Sequence, residues 1–251
     1  MKRIAVQGIA SEQIDPTAVA GHAYQYRVVT NGNRSSSSVS AIAGLPPEWT
    51  LSSIDDGALP SAAFFSGRTW RMSAASGGNA NDSGGLAFLA RHLPQGTMFS
   101  ARLLPMFASQ QLNAGIACIG ENGAAAVLLL APAAGSAGES VSWAVRLWTR
   151  PHSNARFSKD GEVILGEPAV RYSRVYLPLG LRLRRLDATW IAEFCTDGTS
   201  WTKVGKFHAL EGLLRAGMVL NSGIPEVSTE IAWDEVVATA SQNFSTGMSG
   251  L

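Results

Sequence analysis

The sequence has few charged residues and no long apolar segment, and both scarcities exclude classes of protein. Charged side chains make up 16% of the 251 residues, and the formal net charge is only +1. No global field is therefore available to gather nucleic acid or anionic lipid. Hydrophobic residues make up 46% of the chain, which excludes a disordered protein. We expect neither nucleic acid nor an inserted membrane among its partners.

The longest apolar run, Gly123 to Gly135, is too short to span a bilayer and is broken by Pro132. It predicts a buried strand followed by a loop. The first residues, MKRIAVQGIASEQ, include two basic side chains but no continuous apolar segment after them. No signal peptide is therefore visible in the chain.

Cysteine is scarce as well, because only Cys118 and Cys195 are present. Two cysteines are not a disulfide framework, although they could pair in an exported protein. Each lies in an apolar run, GIACIG or AEFCTD, so buried free thiols are the favoured interpretation.

Motifs for metal binding and catalysis are missing. The four histidines lie far apart and form no zinc-binding pattern. The segment SGGNANDSGG has oxygen-bearing side chains that suit calcium, but Asp82 is its only carboxylate, which favours a plain loop. No nucleophile elbow, phosphate-binding loop or dinucleotide fingerprint occurs. We therefore expect no metal and no cofactor.

From Trp49 to about Ala240, short runs rich in Val, Leu, Phe and Trp alternate with turns rich in Gly, Asn, Asp and Ser. No segment has a convincing long helical period. This texture predicts an all-β protein, built as an antiparallel β-sandwich.

One hairpin is particularly clear in EFCTDGTSWTKVG. Asp197-Gly198 supplies the positive φ that a tight reversal needs, and Trp201 then begins the next strand. Turn chemistry accounts for Asp197 without any metal-binding or catalytic role.

The first 44 residues differ from the rest and are predicted to form an N-terminal β arm, residues 1–44. HAYQYRVVTNG and the Ser-rich turn after it resemble the last strands of a fibronectin type III domain. So short a segment does not close a sandwich alone and needs the rest of the chain or a partner. LPPEWT marks the boundary, because two prolines stiffen the link. The sandwich is predicted over residues 45–240, and a C-terminal tail over residues 241–251.

The chain carries, in this order, the segments PEWTLSSID, GTMFSARLLPM, WAVRLWTR, LRLRR, TDGTSW, GMVLNSG and AWDEV. Together these segments resemble the concanavalin A-like sandwich of the DUF1349 type. The resemblance covers about 190 residues, Trp49 to Ala240. It departs from the family where the usual Trp of the G-I-W segment and the basic residue of AGIACIG are missing. It implies a jelly-roll sandwich of a family made up mostly of binding and accessory domains.

Glucanases of this superfamily carry a Glu-x-Asp-x-Glu pattern on one strand, since a retaining glycosidase needs two close carboxyl groups. The tight acidic clusters here, SKDGE and AWDEV, lack a third carboxylate at the right spacing. We therefore expect no catalytic residues and no enzymatic activity, with a glycoside hydrolase as the weakest alternative.

A ligand-binding surface is the remaining hypothesis. Alternation places Arg146 and Trp148 on one face of SWAVRLWTR, and Arg182 and Arg184 on the outward face of LRLRR. Side by side, aromatic and Arg side chains suit a sugar, through ring stacking and forked hydrogen bonds. The alternative is that Trp148 is buried against a loop and the arginines are ordinary solvated side chains. The core tryptophans are predicted to be Trp49, Trp70, Trp201 and Trp233, while Trp190 stays open.

Two classes of function follow. The first is a non-enzymatic recognition module that binds a glycan. The second is a structural part of an assembly, such as a phage tail, baseplate or capsid-decoration protein, which forms a homo-oligomer or joins other structural proteins through the N-terminal arm. Both place the protein outside the cell or on a virion particle.

Overall fold

A computed structural model describes residues 23–26, 39–42, 44–54, 61–66, 68–75, 85–93, 97–104, 112–133, 143–165, 178–208, 210, 212–223 and 228–240. The regular elements of these residues are all β-strands, and they form two seven-stranded sheets and one two-stranded sheet.

The first sheet has the order β11-β10-β9-β8-β15-β6-β3. In chain order its strands are β3 (Thr50–Ile54), β6 (Leu86–Leu93), β8 (Asn113–Ile119), β9 (Ala125–Pro132), β10 (Trp143–Arg150), β11 (Ser158–Leu165) and β15 (Leu214–Asn221).

The second sheet has the order β14-β13-β12-β7-β16-β5-β4. In chain order its strands are β4 (Ser61–Ser66), β5 (Thr69–Ala75), β7 (Thr97–Leu103), β12 (Leu179–Leu186), β13 (Thr189–Cys195), β14 (Thr202–His208) and β16 (Ser228–Ala240).

Every strand pair in both sheets is antiparallel. The chain passes repeatedly from one sheet to the other. As a result, strands at corresponding positions of the two sheet orders are often consecutive in the chain, such as β7 and β8, or β15 and β16. This arrangement is a jelly roll, and it confirms the predicted all-β antiparallel sandwich.

The main core lies between the two sheets and is built by alternation along each strand. Leu181 and Leu183 of β12 point into it, while the arginines between them point outward. Trp49, Trp70 and Trp233 are buried in this core, as predicted, and Trp190, which the sequence left open, is buried there too.

Trp201 corrects the prediction. It lies outside the strands, just before β14, and is only half-buried. The reason is its position at the end of a hairpin turn, where the chain has not yet rejoined the sheet.

The outer face of the first sheet is also apolar. Phe88, Val127, Leu129 and Val219 form a second buried cluster there. Since β9 is covered on both faces, its sequence is a continuous apolar run without alternation. The buried strand predicted between Gly123 and Gly135 is thereby confirmed.

The predicted reversal at Asp197-Gly198 joins β13 to β14, and Gly198 has φ 79°. The two cysteines are free and buried, also as predicted. Burial raises the pKa of the Cys118 thiol, which lies in the core between the sheets.

At the N-terminal side, β1 (Ala23–Tyr26) and β2 (Val39–Ile42) pair antiparallel in a sheet of their own. The rest of the arm lies outside the described residues, as do the tail at residues 241–251 and Asp82 of the considered calcium loop. The boundaries at residues 44 and 240 therefore stay predictions. Among the residues that the structure describes, no helix has the length and apolarity needed to cross a membrane.

Candidate ligand-binding face

The structure separates the four residues predicted to bind a ligand into two pairs. Arg182 and Arg184 lie together on the outer face of the second sheet, where β12 pairs with β13 and β7. Arg146 and Trp148 lie on β10, on the outer face of the first sheet. The expected single surface is therefore not formed, because strand alternation fixes the face of a sheet but not the sheet that a strand joins.

The pair on the first sheet is occupied by structural contacts. The Nε of Arg146 donates to a carboxylate oxygen of Glu162, which Lys159 also contacts at 2.8 Å. Hydrogen bonds from Lys159 and Arg146 lower the pKa of Glu162. Trp148 and Phe157 each pack against the outer apolar cluster. The alternative considered for Trp148, burial against a loop, stays a prediction, since its side chain is half-buried against the strand residues of this cluster.

On the second sheet, one carboxylate holds two arginines. Arg182 and Arg184 each donate from Nε to Oε2 of Glu193 at 2.8 Å, and Arg184 also donates from Nη2 to Oε1 at 3.1 Å. Glu193 faces outward because its strand neighbours Ala192 and Phe194 fill the core. Its side chain is nevertheless only 8% exposed, since the two guanidinium groups cover it.

The ionisation of Glu193 is set by opposing effects. Burial alone would raise the pKa of this carboxyl group, but hydrogen bonds and charges from Arg184 and Arg182 outweigh it and lower the pKa. The carboxylate is therefore ionised at neutral pH. Its single negative charge faces two positive ones.

Trp201 extends this cluster. The guanidinium carbon of Arg182 lies 3.9 Å from the centroid of the Trp201 ring, in a cation–π contact. The ring edge lies over Gly180, where an added Cβ would be 3.3 Å from Cη2 of the indole. Gly180 thus leaves room for the indole to lie against the sheet, and Arg182 holds the ring from one side.

A cleft of about 250 Å³ opens beside Trp201 on the outer side of the second sheet. It is formed where β7, β12 and the end of β13 meet the turn that follows β13. The side chains lining it include Arg102, Cys195, Asp197, Trp201 and Glu235.

Asp197 forms one wall of the cleft and is held rigidly. Its Oδ1 accepts hydrogen bonds from the backbone N–H groups of Ser200 at 2.7 Å and Thr199 at 2.8 Å, and from the Cys195 thiol at 3.2 Å. These donors, the Ser200 amide first, lower the pKa of Asp197 well below its usual range. The wall therefore carries a negative charge at neutral pH.

The opposite wall is an ion-paired group on β7 and β16. Arg102 donates to both carboxylate oxygens of Asp234 at 2.8 Å and contacts Glu235 at 3.0 Å. The pairing register of β16 shifts between Asp234 and Val237, and Glu235 has a positive φ of 46°. A bulge of this kind re-aims a side chain, and here it turns Glu235 toward the cleft.

No group of three or more potential metal ligands occurs within the described ranges. The cleft is lined by an aromatic ring, two carboxylates and a guanidinium group. A small polar ligand with an apolar ring face fits such a set.

Sequence reasoning missed Trp201 and the acids of this face. Glu193 could have been found, because AEFC places it opposite the core positions Ala192 and Phe194, beside the arginines of the preceding strand. Arg102 and Asp234 are 132 positions apart in the chain, so no local sequence pattern indicates their ion pair.

No family model matches the chain, and no curated protein matches it. Among solved structures, a functionally unknown protein from Saccharomyces cerevisiae superposes with a TM-score of 0.55 at 12% identity, covering 77% of this chain and 96% of that one. The two share a fold, the antiparallel β-sandwich described above.

Two further solved structures are similar at lower scores. A glycoside hydrolase family 16 endo-glucanase from Bacteroides ovatus matches with a TM-score of 0.48 and 10% identity, over 78% of this chain and 97% of that one. The exoplasmic/lumenal domain of VIP36, in a Ca2+/Man3GlcNAc-bound form, matches with a TM-score of 0.47 and 8% identity, over 77% and 84%.

Proposed function

We propose that the protein is a non-enzymatic recognition module that binds carbohydrate in the cleft beside Trp201. The observation that carries this proposal is the placement of a half-buried indole, fixed by Arg182, next to hydrogen-bonding groups that line one open cleft. The indole offers a ring face to the C–H groups of a sugar, and the carboxylates accept hydrogen bonds from hydroxyl groups. Arg102 lines the cleft and supplies donors.

The site differs from the one that the sequence suggested. Arg182 lies beside the cleft in contact with Trp201, and Arg184 follows it on the same face of β12. Trp201 takes the role that Trp148 was expected to have. Arg146 and Trp148 lie on the other sheet and are left outside the proposed site. The resemblance to DUF1349-type sandwiches agrees with binding as the activity, and we propose that the protein acts outside the cell.

Binding without catalysis is favoured by the state of the carboxylates. A glycosidase needs one carboxyl group that keeps its proton at working pH and gives it to the leaving group. Asp197 has a lowered pKa, and Glu235 is paired with Arg102. Asp197 is therefore poorly suited to donate a proton, and Glu235 is already engaged in an ion pair.

The proposal is tested by electrophoresis of the full chain through gels that contain different soluble polysaccharides. We expect retardation by at least one polysaccharide and its loss in Trp201→Ala. The matched control is Trp148→Ala, which removes an indole from the opposite face and should leave the retardation unchanged. Retardation that survives Trp201→Ala but not Trp148→Ala would contradict the site.

A structural role in an assembly, such as a virion particle, is a second candidate. The observation that favours it is the hairpin β1–β2, which forms a sheet separate from both large sheets. A two-stranded hairpin is marginally stable alone and gains from pairing with further strands. A second copy or another structural protein could supply them, as expected of a fibronectin-like arm.

Light scattering on the full chain, and on a variant starting at Leu45, tests this second candidate. The assembly function predicts a defined oligomer for the full chain and a monomer for the shortened one. Monomers in both cases would remove its support without affecting the carbohydrate site.

A further inference from the structure

We infer that the ligand of this face is an anionic polysaccharide, whose acidic groups lie along a row of cations next to the cleft. The inference rests on the proposed function, because it names the class of glycan that the same site takes. The row, called the cationic face below, consists of Arg182, Arg184, Lys203 and Lys206.

The register places these four side chains on one surface. Lys203 pairs with Glu193 across β13 and β14, and Lys206 pairs with Ile191. Directly paired residues of neighbouring strands share a face of the sheet. Glu193 also pairs with Arg182. The two lysines therefore lie on the same outer surface as the two arginines.

The charges on this surface do not balance. Among the described outward-facing residues of β12, β13 and β14, the four cations of the row face one acid, Glu193, which leaves a local charge of +3. The whole chain has a net charge of only +1. Asp197 and Asp187 lie in the turns at the two ends of this surface. The excess positive charge is thus confined to this patch, and the chain as a whole is not strongly basic.

The cations are also accessible. Lys203 and Lys206 are exposed, and the side chain of Arg184 is 36% exposed. Glu193 accepts hydrogen bonds from Nε and Nη2 of Arg184, so the edge of this guanidinium group formed by Nη1 and the second N–H of Nη2 is the part left for a ligand. Carboxylate and sulfate groups match this geometry through forked hydrogen bonds.

The arrangement favours a polysaccharide over nucleic acid. Strands lie about 4.8 Å apart, so the cations from β12 to β14 cover only about 10 Å. Nucleic acid binding usually uses a larger basic stripe and a clearly basic domain. Arg182 belongs both to the cationic face and to the stack on Trp201. A sugar ring at the indole would therefore carry its acidic group directly toward the row.

The experiment compares charged and neutral forms of the same polymers. Binding of the full chain is measured by isothermal titration with polygalacturonate and its fully methyl-esterified form, and with dextran sulfate and dextran. We expect binding to an acidic member of a pair, weaker or absent binding to its neutral partner, and a decrease in affinity as salt increases. The two pairs distinguish a carboxylate from a sulfate as the recognised group.

The variant Lys203→Gln/Lys206→Gln should weaken binding to the acidic polymer roughly threefold to tenfold, as expected for two exposed cations. The matched control Arg68→Gln/Arg156→Gln removes two exposed cations elsewhere and should leave the affinity unchanged. Both double variants change only exposed side chains, and circular dichroism verifies that they fold.

Equal affinity for the neutral and acidic forms would overturn the inference and leave the carbohydrate function intact. The inference would also be overturned if the control variant lost as much affinity for the acidic polymer, or if a DNA duplex bound as tightly as that polymer. Either result would show unspecific electrostatic attraction between the protein and polyanions. Failure of every polymer to bind, neutral or acidic, would instead contradict the proposed function itself.

Discussion

At the scale of single residues, the outer surface of the second sheet depends on Glu193. It is buried, it lies between two arginines, and it accepts three hydrogen bonds from their Nε and Nη2 atoms. Because Arg182 in turn stacks on Trp201, the carboxylate indirectly fixes the indole that lines the cleft. Glu193 is therefore a positioning residue for the proposed site.

We expect Glu193→Gln to reduce the free energy of unfolding by about 1–3 kcal/mol, since it removes a buried charged acceptor and leaves two guanidinium groups facing each other. Urea unfolding followed by tryptophan fluorescence measures the change. The same substitution at the exposed Glu235 serves as a control and should change stability by less than about 1 kcal/mol. Equal effects of the two substitutions would show that Glu193 does not organise this face.

Asp197 gives a prediction about pH. Its pKa is lowered in the folded protein, so its contribution to stability is present above the unfolded value of about 3.9 and is lost as pH falls through the folded value. In Asp197→Asn this contribution is missing at every pH. The melting temperatures of the two proteins should therefore differ more at about pH 6 than at about pH 2.

Thermal unfolding at several pH values, at constant ionic strength, checks this expectation. Other carboxyl groups titrate in both proteins, so their effects cancel in the difference between the two melting temperatures. A difference that stays constant, or increases toward acid, is incompatible with a carboxylate stabilised by the Ser200 and Thr199 amides.

At the scale of elements, the bulge in β16 brings the acids of the cleft into place. Trp233 pairs with Leu103 and Asp234 with Arg102, and the register then shifts before Val237. Glu235 takes a positive φ at this point and reaches Arg102. The left-handed conformation is unfavourable for a residue with a Cβ. Strain of this kind is characteristic of functional sites.

We expect Glu235→Gly to be more stable than Glu235→Ala by about 1 kcal/mol, because only glycine adopts positive φ without steric penalty. Both variants lack the carboxylate, so their difference isolates the backbone. Chemical denaturation of the two proteins measures it. An alanine variant as stable as the glycine variant would mean that the bulge is not strained.

Strands and turns were the part of the structure that the sequence predicted best. The alternation in LRLRR correctly placed Arg182 and Arg184 outward, and Asp197-Gly198 correctly marked a hairpin. Both signals are local, since they depend on the period of a strand and on the φ of one turn residue. The role of Trp201 was missed because its neighbours in space, Arg182 and Gly180, belong to a different strand.

At the scale of the whole molecule, the sandwich has two outer faces of different character. The outer face of the first sheet carries an apolar cluster that is buried, with Trp148 at its rim. The outer face of the second sheet carries arginines, lysines and acids beside an open cleft. Our central proposal is based on this contrast: we propose that the ligand binds on the outer face of the second sheet.

This division was not predictable from sequence. WAVRLWTR and LRLRR have the same alternation, with cations on the outward face of each. Which of them joins the first or the second sheet depends on pairings between distant strands, such as β15 with β8 and β16 with β7. The expected surface of Arg146, Trp148, Arg182 and Arg184 therefore joined residues from opposite sides of the molecule.

The most direct measurement is a nuclear magnetic resonance titration that follows the indole N–H signals of the seven tryptophans. Trp201→Phe and Trp148→Phe assign the two signals of interest, and the titrant is the polysaccharide, cut to oligosaccharides, that retards the protein in the gel. We predict that the Trp201 signal shifts with saturation while the Trp148 signal stays in place. A shift of Trp148 with an unchanged Trp201 would contradict the account and move the binding site to the first sheet.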